Sequence, residues 1–282
     1  MNHSNLFYKG DILIGFNVQF IVRNRILLFQ VLETQQQDAG NRQIKLIGLV
    51  RNLIKNIHVL LDDILFSGGD DESIKVWKVD FKQNKLTYMY SLDKHDSYVM
   101  ALSLNQSETQ LVSCAYAKNQ IIIWEREEQD KFEFKYVVII IISHFIYKQS
   151  IQEYGLKIKF IKDNQFIWIT GGKEIDKLYI FELKEGIYQE NQKKTIQLNK
   201  NNQISDEYHF PIVYNKEKNL IVLRHKDYIY FIKEIINGIF TIVHQFNCDT
   251  NQIFGTFTNN GQYLVYWDEK NQGYSVYELL NK

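Results

Sequence analysis

The sequence predicts an all-β chain built from repeated, short antiparallel sheets, and three observations carry that expectation. An aromatic residue closes a strand-like run six times at near-regular spacing. Apolar and polar residues alternate with period two in the clearest of those runs. Clusters of Gly, Asp, Asn and Ser punctuate the runs where turns are needed.

The first clear unit is ILFSGGDDESIKVWKVD, residues 64–80. Ile64, Leu65 and Phe66 form an apolar run. Ser67 to Ser73 carry turn chemistry, and Ile74, Val76 and Val79 then alternate with Lys75 and Lys78 around Trp77. The next unit, residues 95–127, reads as three further strands. Val99 to Leu104 suit the first, Leu111 to Ala115 the second and Ile121 to Trp124 the third, with a polar turn at Asn105 to Thr109. From Trp77 to Trp124 is 47 residues, the length of one four-stranded sheet with its turns. Without the tryptophan, the same strand-ending aromatic recurs at Phe29, Phe181, Phe231 and Tyr277. The six anchors are spaced by 48, 47, 57, 50 and 46 residues.

This pattern resembles the WD-repeat family. In that family a blade runs from a Gly-His pair, through strand, turn and strand, to an Asp-containing turn and a Trp-Asp pair. SGGDDESIKVW, Ser67 to Trp77, is the most specific match, and Lys94-His95 stands where Gly-His is expected. The resemblance is strong over about residues 60–127 and rests on period alone elsewhere. It implies a β-propeller of four-stranded antiparallel blades, about six recognisable units or an incomplete seven-bladed ring, in one domain over residues 1–282. It also implies a buried network within a blade, made by a His, a Ser or Thr, an Asp and a Trp. Ser67, Asp71 and Trp77 supply three of these in the first unit, which has no His 29 residues before its Trp. His95, Ser113 and Trp124 supply three in the second, where Lys118 stands in place of the Asp. A half-satisfied buried network loses much of its value, so a ring less rigid than a consensus one is expected.

Each such sheet is apolar on both faces and cannot bury them alone, so neighbouring sheets must stack around an axis. The last unit ends soon after its third strand, and Leu6 to Tyr8 are the expected source of its outer strand. The interval from Trp124 to Phe181 is about ten residues too long, with the excess near residues 139–148. That excess is either a blade-edge extension or a stretch outside the genuine coding sequence. One segment runs against pure β structure: Leu53, Ile54, Ile57, Leu60 and Leu61 recur at helical spacing.

Composition narrows the function classes. The 282 residues carry 33 basic and 33 acidic side chains, so no global field draws nucleic acid or an anionic membrane. The longest apolar run, Tyr136 to Tyr147, falls short of the roughly 20 residues that span a bilayer and reads as a buried strand. Cys114 and Cys248 have no metal-ligand spacing, and two cysteines make no disulfide framework. The start MNHSNLFYKGD lacks a basic stretch followed by an apolar one, so no secretory signal is expected. An intracellular, reducing setting such as the cytoplasm is the resulting expectation.

No catalytic, cofactor-binding or metal-binding residue is expected. The seven histidines lack zinc spacing, and Gly68-Gly69 and Gly171-Gly172 are not followed by the Lys-Ser or Lys-Thr of a phosphate loop. Asp71 reads as a turn cap, Cys114 and Trp168 as core, and Trp267 as core with some exposure. The function these features favour is a non-catalytic scaffold for protein partners, with Lys94, His95, Asp96 and Tyr98 on the partner-facing loops. A truncated or degenerate paralogue is one alternative. A propeller-fold hydrolase is another, and it requires carboxylates such as Asp71 and Asp176 to converge from different blades.

Overall fold

The computed structural model describes residues 17–22, 25–30, 57–61, 63–80, 83, 85–116, 120–127, 131–138, 155–207, 209–258 and 261–279. These form a β-propeller of five blades, each an antiparallel sheet of three to four strands in sequence order, with one short extra strand in blade three. Strands β1 (Asn17–Val22) and β2 (Arg25–Gln30) precede them as a two-stranded hairpin. Blade one is β3 (Ile57–Leu61), β4 (Ile64–Gly68), β5 (Ile74–Asp80) and β6 (Lys85–Leu92). Blade two is β7 (Val99–Leu104), β8 (Gln110–Ala115), β9 (Ile121–Arg126) and β10 (Phe132–Val138). Blade three is β11 (Gly155–Lys162), β12 (Gln165–Thr170), β13 (Lys177–Lys184) and β14 (Ile187–Glu190), with the short β15 (Ile196–Gln197) also on β13. Blade four is β16 (Val213–Asn215), β17 (Leu220–His225), β18 (Tyr228–Ile236) and β19 (Ile239–Asn247). Blade five is β20 (Ile253–Phe257), β21 (Tyr263–Asp268) and β22 (Gly273–Glu278).

Among the described residues the count is five blades, not the six or seven units expected. There the unit around Phe29 contributes a two-stranded hairpin. Leu6 to Tyr8 and residues 139–148 lie outside the described residues. So do Leu53 and Ile54, while Ile57 to Leu61 form β3 rather than a helix. Those residues pair with β4, so tertiary pairing overrides their helical spacing.

Four apolar cores join the blades in order. Phe66, Ile74 and Val76 of blade one pack against Leu111, Ile122 and Trp124 of blade two. Val112, Ile121 and Ile123 of blade two meet Phe160, Phe166 and Phe181 of blade three. Ile167, Ile169 and Ile180 of blade three meet Ile221, Leu223 and Ile232 of blade four. Leu220, Val222 and Phe231 of blade four meet Phe257, Leu264 and Tyr266 of blade five. Successive residues of β12 thus serve different cores, as period-two alternation demands when both faces are covered.

Most of the anchors share one register. Trp77 lies opposite Leu65, Trp124 opposite Leu111, Phe181 opposite Phe166 and Tyr277 opposite Leu264. Phe231 breaks it. Ile232, opposite Ile221, faces blade three, whereas Phe231 faces blade five. A one-residue shift moves a strand side chain to the other face, and the aromatic run Tyr228 to Phe231 hides that shift from a reading by spacing.

The turns repeat as well. Between first and second strands, Asn105 Oδ1 accepts from Thr109 N (2.9 Å) and Gln110 N (3.0 Å), and Asn215 Oδ1 accepts from Lys218 N (2.8 Å). Between third and fourth strands, Glu185-Gly186 and Asn237-Gly238 both adopt positive φ, the geometry of tight two-residue hairpins. Gly68 is required by closeness: a Cβ there would lie 2.5 Å from Val99 Cγ1 on the neighbouring blade. Gly68→Ala is expected to cost about 1–3 kcal/mol by overpacking, read as a shift in the denaturant midpoint at constant slope.

Candidate functional site

Chain direction gives each blade two ends. At one end lie the loops entering the first strand and the turns from second to third strand. His95 enters blade two there and is buried. Its Nδ1 lies 2.8 Å from Gln120 Oε1, its Nε2 lies 2.6 Å from Ser113 Oγ, and Trp124 Nε1 donates to the same hydroxyl at 2.8 Å. A neutral ring with the proton on Nδ1 satisfies every group: Nδ1–H donates to Gln120, and Nε2 accepts from Ser113. The network in blade two thus has four members, with Gln120 as the fourth. The expected vacancy at Lys118, which lies outside the described residues, does not leave it open. In blade one, Trp77 Nε1 donates to Ser67 Oγ at 2.8 Å, and Asp71 caps its turn by accepting from Ser73 Oγ at 3.0 Å. Lys75 also pairs with Asp71.

The loop that carries His95 projects its neighbours outward. Lys94 and Asp96 are exposed, with Lys94 Nζ 5.8 Å from the Phe134 ring centroid. Tyr98 is 48% exposed and Tyr116 is 44% exposed. Their ring centroids lie 6.3 Å apart, and Tyr116 N donates to Tyr98 O at 2.9 Å. His95 itself is withdrawn from this surface. Its ring is consumed by the network beneath, which corrects its expected place among partner-facing residues.

A second cluster at the same end joins blades three and four. Lys157, Asp176, Asp206, Arg224, His225 and Lys226 are each at most 3% exposed. Asp206 takes Lys157 Nζ at 2.9 Å, an Arg224 guanidinium nitrogen at 2.9 Å and His225 Nδ1 at 3.2 Å. It also accepts from the backbone N–H groups of Glu207 and Lys226. Asp176 takes His225 Nε2 at 3.0 Å and Lys226 Nζ at 2.5 Å. Burial opposes the charge on Asp206, but Lys157, Arg224 and His225 outweigh it and hold its carboxyl well below the usual range. Burial, with Arg224 nearby, pulls Lys157 down to about 7 despite Asp206.

Sequence reading found Asp176 but missed the rest. The available signal is Arg224-His225-Lys226-Asp227, four consecutive polar residues in a hairpin between the apolar strands β17 and β18. Asp71 and Asp176 do not meet: Asp71 is exposed in blade one and bonded to Ser73 and Lys75. Asp176 and Asp206 do converge, on His225, but in a closed ion cluster whose charges are mutually paired. Among the described residues, no group of three or more His, Cys, Asp or Glu side chains is arranged to hold a metal ion. Cys114 is fully buried, and burial raises its thiol to about 12. Trp168 is likewise in the core, and Trp267 is half-buried beside Phe254. No helix among the described residues is long and apolar enough to cross a membrane.

No family model and no curated protein matches the sequence. Solved structures do match the fold. A putative 6-phosphogluconolactonase from Bacteroides fragilis superposes with a TM-score of 0.62 at 11% identity, over 80% of this chain and 67% of its own. The periplasmic gluconolactonase of Pseudomonas aeruginosa gives 0.59 at 10% identity, over 76% and 64%. The WD40 β-propeller domain of Doa1 gives 0.54 at 14% identity, over 79% and 63%. The chain therefore spans about two thirds of the length of these propellers, and the likeness shows the fold.

Two outcomes follow from the site. Burial lowers His95 to about 4, against 6.5 in an unfolded chain. Between those values the unfolded chain takes up a proton that the folded chain refuses, so this stability is complete above pH 6.5 and is lost as pH falls toward 4. Lowering the pH from 7 to 5 should cost wild type about 2 kcal/mol more than His95→Gln, measured by denaturant unfolding at both values. Asp206→Ala should cost about 3–5 kcal/mol, because it leaves Lys157 and Arg224 buried without their carboxylate. A thermal melt unchanged from wild type would contradict that account.

Proposed function

We propose that this propeller is a non-catalytic platform that holds protein partners at the end of the ring carrying Tyr98. The observation that supports this most is the exposed Tyr98–Tyr116 pair, flanked by Lys94 and Asp96 and set above the buried His95 network. Tyrosine joins large apolar area to a polar tip and loses little side-chain freedom on binding, which suits it to a contact surface. The loop beneath is already fixed by the His95, Ser113, Trp124 and Gln120 bonds, so binding orders little else.

The hydrolase reading draws on the names of the lactonase-like structures, which are 8–11% identical to this chain. It needs carboxylates free to act on a substrate in a cleft. Asp176 and Asp206, the pair that converges, are enclosed and committed to Lys157, Arg224, His225 and Lys226. The partner-holding reading asks nothing of them beyond joining two blades.

The test is quantitative co-purification with the full chain at native expression, comparing wild type with Tyr98→Ala and the Tyr98→Ala/Tyr116→Ala double variant. Both variants should melt with wild type, since the side chains are exposed. The double variant should recover its specific partners at least about tenfold less well, the loss typical of a central interface tyrosine. Wild type that recovers nothing above background, or variants that recover everything wild type does, would overturn the proposal.

A further inference from the structure

The opposite end of the ring holds a cleft of about 360 Å³ between the innermost strands of blades two, three and four. Leu104, Phe160 and Tyr214 give it apolar walls, and Lys159, Lys216 and Gln106 bring polar groups into it. Apolar walls with a few convergent polar groups are the usual make-up of a small-molecule site. The lining contains two lysines and no acidic residue.

Lys159 is the anomaly. It stands on β11 between Ile158 and Phe160, whose side chains fill the core between blades two and three. Its own side chain lies in the cleft. Among the described residues it has no hydrogen bond and no ion pair. Burial lowers its pKa, with no neighbouring charge to oppose the shift. Other lysines of the same strand are served: Lys157 meets Asp206, and Lys162 meets Glu234 at 2.5 Å. Two acids near this end are engaged, Glu234 by Lys162 and Gly238 N, and Asp163 by Ser107 N. Gln106 is used at both ends. Its Nε2 donates to Ile161 O at 2.5 Å, and its Oε1 accepts from Lys216 Nζ at 3.0 Å. That bond steadies Lys216 and leaves its ammonium two further donors.

Lys159 is partly exposed at the cleft, and an ammonium half withdrawn from water between apolar walls, with no partner, carries a solvation cost. An anion in the cleft removes the cost by supplying the absent charge and acceptors. We propose that this cleft binds a small oxyanion-bearing molecule, with Lys159 and Lys216 clasping its phosphate or carboxylate group and Leu104, Phe160 and Tyr214 covering its apolar body. The bond that Gln106 makes to Lys216 sets the position of the second cation, and the compact ammonium of lysine suits a point contact with an oxyanion.

The test is calorimetric titration of the full chain at neutral pH with phenyl phosphate and benzoate, with phenol as the uncharged control. Saturable binding of at least one anion and none of phenol supports the proposal, and the tighter of the two identifies the oxyanion group. Lys159→Met keeps the aliphatic stem and drops the charge. It should weaken binding about tenfold or more, about 1.4 kcal/mol, while melting no lower than wild type. Lys216→Gln should weaken binding several-fold, and Tyr98→Ala, at the other end of the ring, should leave it unchanged. No saturable binding of either anion by wild type, or equal binding by Lys159→Met, would overturn the site without touching the partner-holding proposal.

Discussion

The structure depends on one constraint: the central strands of blades two, three and four are apolar on both faces, so each of these sheets needs a neighbour on each side. Ile167 and Ile169 of β12 face blade four while Phe166 and Trp168 face blade two, and all four are fully buried. Such a sheet cannot persist alone in water. At roughly 2–5 kcal/mol per large aliphatic side chain truncated in a core, the blades are coupled far more strongly through their shared cores than through any surface pair. The turns are short and repeated because they only have to return the chain to the next strand.

The polar groups at the loop-bearing end complete this arrangement rather than compete with it. Where a blade enters from its neighbour, the backbone has to be tied to the turn that lies beside it. Blade two does this with a neutral network, His95 to Ser113, Trp124 and Gln120. Blade four does it with charge: Asp206, in the entering loop, binds the turn residues Arg224 to Lys226 and also Lys157 on the innermost strand of blade three. The two solutions answer the same geometric need. The charged one stands further from a consensus repeat and is harder to recognise from a blade pattern.

Much of the fold was legible in the sequence because it is governed by local period. Trp77, Trp124, Phe181 and Tyr277 occupy equivalent pairings, and the strands and turn of residues 99–124 fall where alternation and turn chemistry put them. What was not legible depends on pairing across the chain. Phe231 and Ile232 differ only in which face they present, and neighbouring aromatics blur that distinction. The Phe29 run reads like the others, yet in the structure it belongs to a two-stranded hairpin. The site residues divide in the same way. Asp71 and Trp124 were visible from repeat position. Gln120, Lys157 and Asp206 are united only by tertiary approach, Lys157 and Asp206 from 49 residues apart. Lys157 and Lys159 alternate with Leu156, Ile158 and Phe160, a pattern that reads as a strand half in water, whereas Lys157 is buried in an ion cluster and only Lys159 of the two is partly exposed.

Native-state hydrogen exchange tests the shared-core account most directly. If the sheets hold together only by covering one another, the amides of β8, β12 and β17 should exchange at a common, slowest rate that tracks global unfolding and shifts together with denaturant. Three separate rates, each with its own denaturant dependence, would mean that the sheets stand independently and would contradict the account.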